Sequence, residues 1–339
     1  MERKFVILTE EAHAEIQKEI FDLDQPLLDN EAIIETTTSM ISAGTELSRV
    51  YAIKKGFSYP VYPGYTCVGK ILRKGKGIDH VEVGDRVFYS GPHASINKFA
   101  HTNLTQGAKI VKIDERLTDN EACMLQMGMI AMNSIKACNG NLNDTVAIFG
   151  LGTIGIITAL LFKKQGMRVI CFDPVTTRCD EARNAGLTEC YDVAPELQVE
   201  TLKQLTNGKG AEITVDVSGI SPAIVNAILG TAKYGQVILL GSPRAPFTCD
   251  ITPVLNAIHM KMLDVKGSFN QLDAYPQTDG TRSNVLRNVE TLQKLMLNKD
   301  IDVEKLISHT IKPEEIMSAY HGLMYEKNDY HCVVIDWTK

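Results

Sequence analysis

The chain has 339 residues, of which 44% are hydrophobic and 22% are charged, and its formal net charge is −6 at pH 7. This length predicts two domains with ordinary globular cores. The acidic balance excludes a basic nucleic-acid-binding face, and no apolar run is long enough to span a membrane. The 8 cysteines are scattered, without a C-x-x-C pair, and predict neither a disulfide framework nor a zinc knuckle. We therefore expect a cytoplasmic protein with neither nucleic acid nor membrane among its partners.

The first hundred residues are predicted to be rich in β-strands, because short apolar runs alternate there with Gly, Pro, Asp and Asn. The clearest runs are Ala32–Thr38, Cys67–Leu72, Arg86–Tyr89 and Lys109–Ile113. A nearly all-apolar helix is then predicted over Asn120–Cys138.

From position 145 the pattern changes to strands alternating with helices. The predicted strands are Thr145–Phe149, Arg168–Phe172, Ile213–Val217, Gln236–Leu240 and Leu263–Lys266, and the predicted helices are Ile154–Gln165, Arg178–Ala185, Pro222–Leu229 and Asn284–Leu297. This alternation predicts βαβ units and therefore an α/β fold with a doubly wound parallel sheet. The tail is mixed, with a helix at Glu314–Tyr320 and a strand at His331–Asp336.

A glycine-rich loop joins the first of these strands to the helix that follows it. It reads Gly-Leu-Gly-Thr-Ile-Gly over 150–155. The first glycine allows a tight turn, the second lets backbone N–H groups approach a pyrophosphate, and the third lets the helix pack close to the strand. The phosphates then lie at the positive N-terminus of the helix. This context predicts a dinucleotide site that contains Gly150, Gly152, Thr153, Ile154 and Gly155.

An acidic residue closes the next strand, as nicotinamide dinucleotide sites require. The carboxylate of Asp173 is predicted to accept hydrogen bonds from the ribose hydroxyls and to repel a 2′-phosphate, which favours NAD over NADP. Pro174 follows it in the predicted site. Arg178, five residues further on, leaves NADP open because a guanidinium pairs well with phosphate.

Several short motifs add a family resemblance. They are Ile-Ser-Ala-Gly-Thr-Glu at 41–46, Tyr-Pro-Gly-Tyr-Thr-Cys-Val-Gly at 62–69, Gly-Asp-Arg-Val at 84–87, Gly-Pro-His-Ala at 91–94 and Gly-Ser-Pro at 241–243. Together with the dinucleotide loop and the closing segment 312–334, they make the chain resemble the medium-chain dehydrogenase/reductase superfamily, the zinc-type alcohol dehydrogenase-like proteins, over essentially its whole length. The branch it resembles most is the one grouped with bacteriochlorophyllide dehydrogenases and cyclitol reductases.

The resemblance implies two domains and a cleft between them that holds the active site. A GroES-like catalytic domain would comprise 1–121 and 301–339, and a Rossmann NAD-binding domain would comprise 122–300. In this family, backbone that follows the later strands of the Rossmann sheet meets the cofactor. The predicted cofactor site is extended on that basis to Ser218, Gly241, Ser242, Ser268 and Phe269. The resemblance also implies a homodimer, with Gln236–Leu240 and Phe247–Val254 as the candidate segments for an edge-to-edge interface.

The expected zinc ligands are missing. Zinc alcohol dehydrogenases hold a catalytic zinc through Cys, His and a further Cys or acid. By motif alignment this chain has Ala43, Tyr65 and Gln126 at those positions, and Thr66 in place of an outer Glu. The interval Phe88–Gln106 also contains no cluster of four cysteines for a structural zinc. We therefore predict a zinc-independent enzyme with no metal ligands.

Without zinc, protein groups must polarise the substrate carbonyl and transfer a proton. Tyr65 takes the place of the zinc histidine, and its phenol is the candidate acid. Thr45 matches the family's hydroxyl relay, Glu46 is a candidate to orient substrate hydroxyls, and His93 is a candidate proton carrier. The structural alternatives are a packed tyrosine, an ion-paired glutamate and a hydrogen-bonded loop histidine. A metal pair of His93 with His101 is a further alternative, which would need acids or thiols nearby.

These observations predict an NAD-dependent, zinc-independent dehydrogenase/reductase that interconverts a secondary alcohol and a ketone on a small polyol-like substrate. Polar residues in segments expected near the cleft support a polar substrate: Ser42, Thr45, Glu46, Tyr65, Asn97, Lys98 and Gln126. An NADPH-dependent quinone or enone reductase is a second hypothesis, against which Asp173 argues. A non-catalytic dinucleotide-binding homologue is a third.

Overall fold

The structure is a computed structural model, and it describes residues 1–53, 56–101, 109–243, 245–269 and 283–339. Part of the interval Phe88–Gln106 therefore lies outside the described residues. The strands are β1 Glu2–Glu10, β2 His13–Ile20, β3 Glu31–Met40, β4 Cys67–Lys74, β5 Arg86–Tyr89, β6 Ile96–Ala100, β7 Ile110–Lys112, β8 Thr145–Phe149, β9 Arg168–Phe172, β10 Glu189–Tyr191, β11 Ala211–Asp216, β12 Thr231–Leu239, β13 Asp264–Gly267, β14 His309–Ile311 and β15 Val333–Asp336.

The helices are distributed along the same stretches of chain. They are α1 Ala43–Val50, α2 Asp119–Cys123, α3 Leu125–Ala137, α4 Thr153–Lys164, α5 Thr176–Asn184, α6 Pro195–Leu205, α7 Ser221–Gly230, α8 Thr252–Lys261, α9 Val285–Leu297 and α10 Ile316–Tyr325. Short 3₁₀ helices lie at Glu304–Leu306 and Pro313–Glu315. Within the described ranges, no helix is both long and apolar enough to cross a membrane.

The chain divides into two compact units. Of the described residues, the first unit takes those up to Gln126, 283–299 and 303–339, and the second takes 127–269 and 300–302. The predicted division at 121/122 and 300/301 differs from this one, chiefly because α9 belongs to the first unit. The reason is that α9 is tied to that unit, since the Gln293 side chain accepts a hydrogen bond from the Asp114 N–H at 2.6 Å.

The first unit is built on a sheet with strand order β14-β15-β3-β4-β5-β7, with β6 also pairing with β3. The pairs are antiparallel except for β14 with β15. β1 and β2 form a separate two-stranded sheet. The central strand β3 is almost wholly buried because it has neighbours on both edges. This architecture confirms the predicted β-rich part of an α/β protein.

The second unit contains a six-stranded parallel sheet in the order β10-β9-β8-β11-β12-β13. Counted along the chain, this is the order 3-2-1-4-5-6 of a doubly wound dinucleotide fold. Helices supply the right-length crossovers between successive parallel strands, and the central strands are buried as continuous apolar runs. The predicted Rossmann sheet is therefore confirmed.

Some elements differ from the sequence prediction. The helix predicted over Asn120–Cys138 is two helices, α2 and α3, which meet at Met124. The elements β10, α6 and α8 were not predicted; β10 is too short to show a period. The predicted dimer segment Gln236–Leu240 is wrong as an edge. It lies in and just after β12, which pairs with β11 on one side and β13 on the other.

Candidate functional site

The glycine loop after β8 has the geometry that its sequence requires. Gly150 has φ = +103°, where a side chain is strained, and a Cβ there would lie 3.0 Å from Cβ of Ser218. A Cβ on Gly155 would lie 2.0 Å from the carbonyl oxygen of Gly150. By contrast, a Cβ on Gly152 would meet no atom of the described part of the chain within 4 Å. The first and third glycines are therefore needed for packing, while the second borders open space.

That open space fits a dinucleotide. Gly152 is the N-cap of the twelve-residue helix α4, and no side chain caps this helix end. Uncapped N–H groups and the helix dipole make such an end a binding site for phosphate. The hydroxyl oxygen of Ser268, a predicted cofactor residue, is buried and has no hydrogen-bond partner among the residues that the structure describes. A buried hydroxyl without a partner is costly, so it is also consistent with a missing polar ligand.

Asp173 is held against the glycine loop. Its side chain is 3% exposed, and Oδ2 accepts a hydrogen bond from the Leu151 N–H at 2.8 Å. Oδ1 accepts from the Val175 N–H at 3.0 Å, and the Arg178 guanidinium lies 3.5 Å from Oδ2. Each carboxylate oxygen can accept two hydrogen bonds, so these contacts still permit Asp173 to accept hydrogen bonds from ribose hydroxyls. That role stays a prediction.

Two further features lie beside Asp173, one at the predicted Arg178 and one at Glu181, which was not singled out from the sequence. Nε of Arg178 is buried without a hydrogen-bond partner. Burial raises the pKa of Glu181 to about 7. The positive charge of Arg178 lowers this pKa and the negative charge of Asp173 raises it, but both effects are smaller than that of burial. The Glu181 carboxyl is therefore protonated more readily than an exposed glutamate.

The loops after β11 and β12 come together beside the glycine loop. The Asp216 carboxylate accepts hydrogen bonds from the Ser218 hydroxyl at 2.7 Å and from the Gly219 N–H at 3.1 Å. A Cβ on Gly241 would lie 2.2 Å from the Gly219 nitrogen, and one on Gly219 would lie 2.3 Å from the Ser242 carbonyl oxygen. Asp216 was missed from the sequence, although it closes a buried strand just as Asp173 does. The carboxyl ends of neighbouring parallel strands thus gather the predicted residues at the switch point of the sheet.

The remaining predicted cofactor residues lie around this edge with different exposure. Thr153, Ile154 and Arg178 are half-buried, and Pro174 and Phe269 are exposed. Ser268 is brought to the end of β12 by its N–H, which donates to the Leu239 carbonyl at 2.9 Å.

In the first unit, Glu46 lies at the centre of a buried hydrogen-bond network. Its side chain is 1% exposed. Oε2 accepts from Nε2 of His93 at 3.0 Å and from the Tyr320 hydroxyl at 2.7 Å, and Oε1 accepts from the Ser42 N–H at 2.6 Å. Burial alone raises the pKa of Glu46, but the charge and hydrogen bond of His93 and the other two donors outweigh it and hold the pKa below its usual value. Glu46 is therefore an ionised, internally satisfied group.

His93 is equally enclosed. It is 0% exposed, and its second ring nitrogen, Nδ1, lies 2.8 Å from the Ser39 hydroxyl, which also accepts from the indole N–H of Trp337 at 2.9 Å. Both ring nitrogens are thus engaged. Gly64, with φ = +100°, allows the loop to pass close to His93. A Cβ on Gly64 would lie 2.7 Å from the backbone nitrogen of His93 and 2.9 Å from Nδ1 of its ring. The His93 N–H donates to the Pro63 carbonyl at 2.8 Å and so fixes the same loop.

Tyr65 follows directly on this loop, and its hydroxyl is 2.5 Å from the hydroxyl of Ser42. Tyr65 is half-buried and Thr45 is exposed. Thr45 and part of Tyr65 are therefore accessible to solvent, whereas Glu46 and His93 are buried in the core.

The positions of the family's zinc ligands do not fit a zinc ion. Ala43 has no donor atom, and the Thr66 hydroxyl donates to the Cys123 carbonyl at 3.2 Å. Gln126 is half-buried and is a poor zinc ligand. Among the described residues, no group of three or more His, Cys, Asp or Glu could hold a metal ion. His101 packs its ring 4.9 Å from that of His80, away from the contacts of His93 given above.

Two of the polar residues cited for a polar substrate have other roles. Asn97 is 2% exposed and donates to the Tyr89 hydroxyl at 2.9 Å. Lys98 pairs with Glu31 at 2.9 Å. Tyr320, in contrast, is a member of the Glu46 network that no local motif could reveal, because it lies 274 positions along the chain from Glu46.

Comparison with known proteins agrees with this fold. The family model described as zinc-binding dehydrogenase matches residues 153–280. Over 259 residues the chain is 28% identical to D-guloside 3-dehydrogenase of Escherichia coli strain K12, an alignment that covers 75% of this chain and 72% of the relative. The chain therefore resembles the medium-chain dehydrogenase/reductase superfamily in aligned sequence as well as in its motifs. It is an oxidoreductase of the alcohol dehydrogenase type.

Solved structures of several dehydrogenases share the fold of the whole chain. Galactitol-1-phosphate dehydrogenase from Escherichia coli matches with a TM-score of 0.82 at 16% identity, over 98% of this chain and 99% of that one. An alcohol dehydrogenase from Escherichia coli CFT073, complexed with NADH, matches at 0.81 with 17% identity over 99% of both chains. A zinc-binding dehydrogenase from Sinorhizobium meliloti 1021, bound to NADP, matches at 0.78 with 16% identity over 99% of both. The predicted fold is thus confirmed, and the zinc-less branch stays a prediction.

Proposed function

We propose that this medium-chain dehydrogenase is an NAD-dependent, zinc-independent oxidoreductase that interconverts a secondary alcohol and a ketone on a polyol, sugar or cyclitol-like substrate. The observation that carries the proposal is the hydroxyl pair of Ser42 with the half-buried Tyr65, because Tyr65 stands where zinc members have a metal-binding histidine. Guloside and galactitol phosphate dehydrogenases among the similar proteins support a polyhydroxylated substrate.

The glycine loop of 150–155, Asp173 and Ser268 would hold the cofactor. The uncapped N-terminus of α4 suits the pyrophosphate, and the carboxylate of Asp173 suits a ribose without a 2′-phosphate. When bound, a nicotinamide supplies or accepts a hydride. Similar structures were solved with NADH and with NADP, so the preference for NAD rests on Asp173.

The chain's own residues would handle the substrate oxygen and its proton. The Tyr65 phenol would donate to the carbonyl oxygen and transfer its proton during ketone reduction. We assign the exposed Thr45 hydroxyl to orienting substrate hydroxyls. Because Glu46 and His93 are buried and fully hydrogen-bonded, we assign them to supporting the Tyr65 loop instead of contacting substrate.

Turnover of NAD with galactitol, sorbitol, myo-inositol, methyl guloside and 2,3-butanediol tests this function. We expect kcat/KM at least about 10-fold higher with NAD than with NADP, because a carboxylate repels the 2′-phosphate. Asp173→Asn should narrow that ratio, whereas Asp180→Asn, which removes an exposed carboxylate from the neighbouring helix α5, should leave it unchanged.

Three outcomes would contradict the proposal. A preference for NADP would overturn the cofactor assignment. Loss of activity on chelation, with recovery on adding zinc, would overturn zinc independence. Tight NAD binding without turnover of any substrate in the panel would favour a non-catalytic protein.

We also propose a homodimer formed through β13. All four residues of this strand are exposed, and among the described residues it pairs with β12 alone. An edge strand with unpaired N–H and C=O groups favours pairing with another strand. Exposed apolar side chains of Phe247, Ile251 and Leu255 lie in the same unit.

The oligomeric state can be measured by sedimentation equilibrium. The wild type should have twice the chain mass, and Val265→Glu, which places a charge on β13, should shift it toward the monomer. Ile20→Glu serves as the control, because Ile20 is 85% exposed in the first unit. A monomeric wild type would overturn the dimer.

A further inference from the structure

Ser42 stands at the N-cap position of helix α1, but its side chain does not cap the helix. At this position serine normally accepts a hydrogen bond from a backbone N–H two or three residues on. Its side chain makes no capping hydrogen bond. Among the described residues, the Ser42 hydroxyl bonds only to the Tyr65 hydroxyl, at 2.5 Å. The Ser42 hydroxyl therefore forms a hydrogen bond with Tyr65 and none with the backbone of the helix.

Glu46 holds Ser42 in this orientation. Its Oε1 accepts the Ser42 N–H at 2.6 Å, and its Oε2 is fixed by His93 and Tyr320. Ser42 is itself 7% exposed. A rigid, buried carboxylate therefore anchors the backbone of the residue whose hydroxyl faces the phenol.

The direction of the hydroxyl–hydroxyl bond decides what it can do. If Ser42 donates to the phenol oxygen, the phenol proton stays available for a substrate. A hydrogen bond donated to an oxygen that becomes negative strengthens as the charge develops. The same bond therefore favours ionisation of the phenol.

We propose that Ser42 is a positioning residue that donates its hydrogen bond to Tyr65 and makes the phenol a stronger acid. The inference rests on the proposed function of Tyr65. In ketone reduction the carbonyl carbon gains a hydride from the reduced nicotinamide, and the C=O π pair becomes an oxygen lone pair. That oxygen takes the Tyr65 proton, which leaves a phenolate that Ser42 stabilises. Solvent then returns a proton to Tyr65.

The test uses Ser42→Ala, with Ser42→Gly as a second variant because glycine is well accepted at an N-cap. With the panel substrate that turns over fastest, we expect hydride transfer in single turnover to slow about 10-fold, as for loss of a hydrogen bond to a charged group. Loss of this hydrogen bond should raise the pKa of the Tyr65 phenol. The pH at which the rate of ketone reduction begins to fall should therefore increase by about one unit. Ser48→Ala is the matched control, since the Ser48 hydroxyl bonds to the Thr45 carbonyl on the exposed side of α1.

A double-mutant cycle separates this inference from the proposed function. In a Tyr65→Phe background, removing the Ser42 hydroxyl should have no further effect on the rate. An ultraviolet titration, taken as the difference from the Tyr65→Phe protein, should show phenol ionisation at higher pH in Ser42→Ala. An equal slowing with and without the phenol, or an unmoved ionisation, would overturn the role of Ser42. A fully active Tyr65→Phe enzyme would instead overturn the role of Tyr65.

Discussion

Replacing Tyr65 with phenylalanine is expected to lower kcat by about 100-fold or more, the usual contribution of a positioned acid. KM should change little, because the ring and its packing are retained and the proton matters mainly in the transition state. The measurement is single-turnover hydride transfer at saturating substrate, so that product release does not hide the chemical step.

Tyr62→Phe is the matched control for this change. Tyr62 lies three residues earlier on the same loop, is 53% exposed and packs its ring 5.8 Å from that of Phe5. It should retain wild-type kcat. A Tyr65→Phe enzyme that keeps wild-type kcat would mean that another group, or water, supplies the proton.

Replacing Glu46 with glutamine is expected to lower the free energy of unfolding of the first unit by about 3 kcal/mol at neutral pH, since a neutral amide would replace the buried carboxylate that accepts three hydrogen bonds. His93 would then lack its carboxylate, and the Tyr320 hydroxyl would lose its charged acceptor. Trp337 is the single tryptophan of the chain and contacts Ser39 in the same network, so its fluorescence reports this unfolding directly.

The effect of Glu46 should depend on pH. Its pKa is lower in the folded than in the unfolded chain, so its stabilisation is complete above the unfolded value of about 4.3 and is lost as pH falls through the folded value. The difference in stability between wild type and Glu46→Gln should therefore shrink in acid. Glu290→Gln is the control, because Glu290 and Lys294 form an exposed pair that contributes little. A constant difference from pH 7 into acid would contradict an ionised Glu46.

The two halves of the candidate site differ in how far the sequence could predict them. The requirement for glycine at 150 and 155 arises from contacts with Ser218 and the Gly150 carbonyl, and it recurs wherever a strand turns directly into a helix. Asp173 also stands at the end of the next strand, at the separation from the glycine loop that dinucleotide-binding sequences share. The glycine loop and Asp173 could therefore be proposed from the spacing of residues in the sequence. Asp216 was missed because it has no fixed spacing from the glycine loop.

The catalytic half could be read only in part. The sequence placed Thr45, Glu46, Tyr65 and His93 together by motif, but it could not tell an exposed side chain from a buried one. Thr45 and Glu46 are adjacent, yet the turn of α1 leaves the first exposed and buries the second. A helix rotates about 100° per residue, so neighbours face different surroundings that only packing defines.

The sequence by itself determined the doubly wound sheet and the glycine-rich turn from strand to helix, because these depend on periodicity and residue type over short stretches. Only the tertiary structure decided that Glu46 and His93 form a buried support and that Ser42 pairs with Tyr65. The partners of Glu46 lie 47 and 274 positions away, at His93 and Tyr320. Contacts across such separations are set by how strands and helices pack, and no local pattern encodes them.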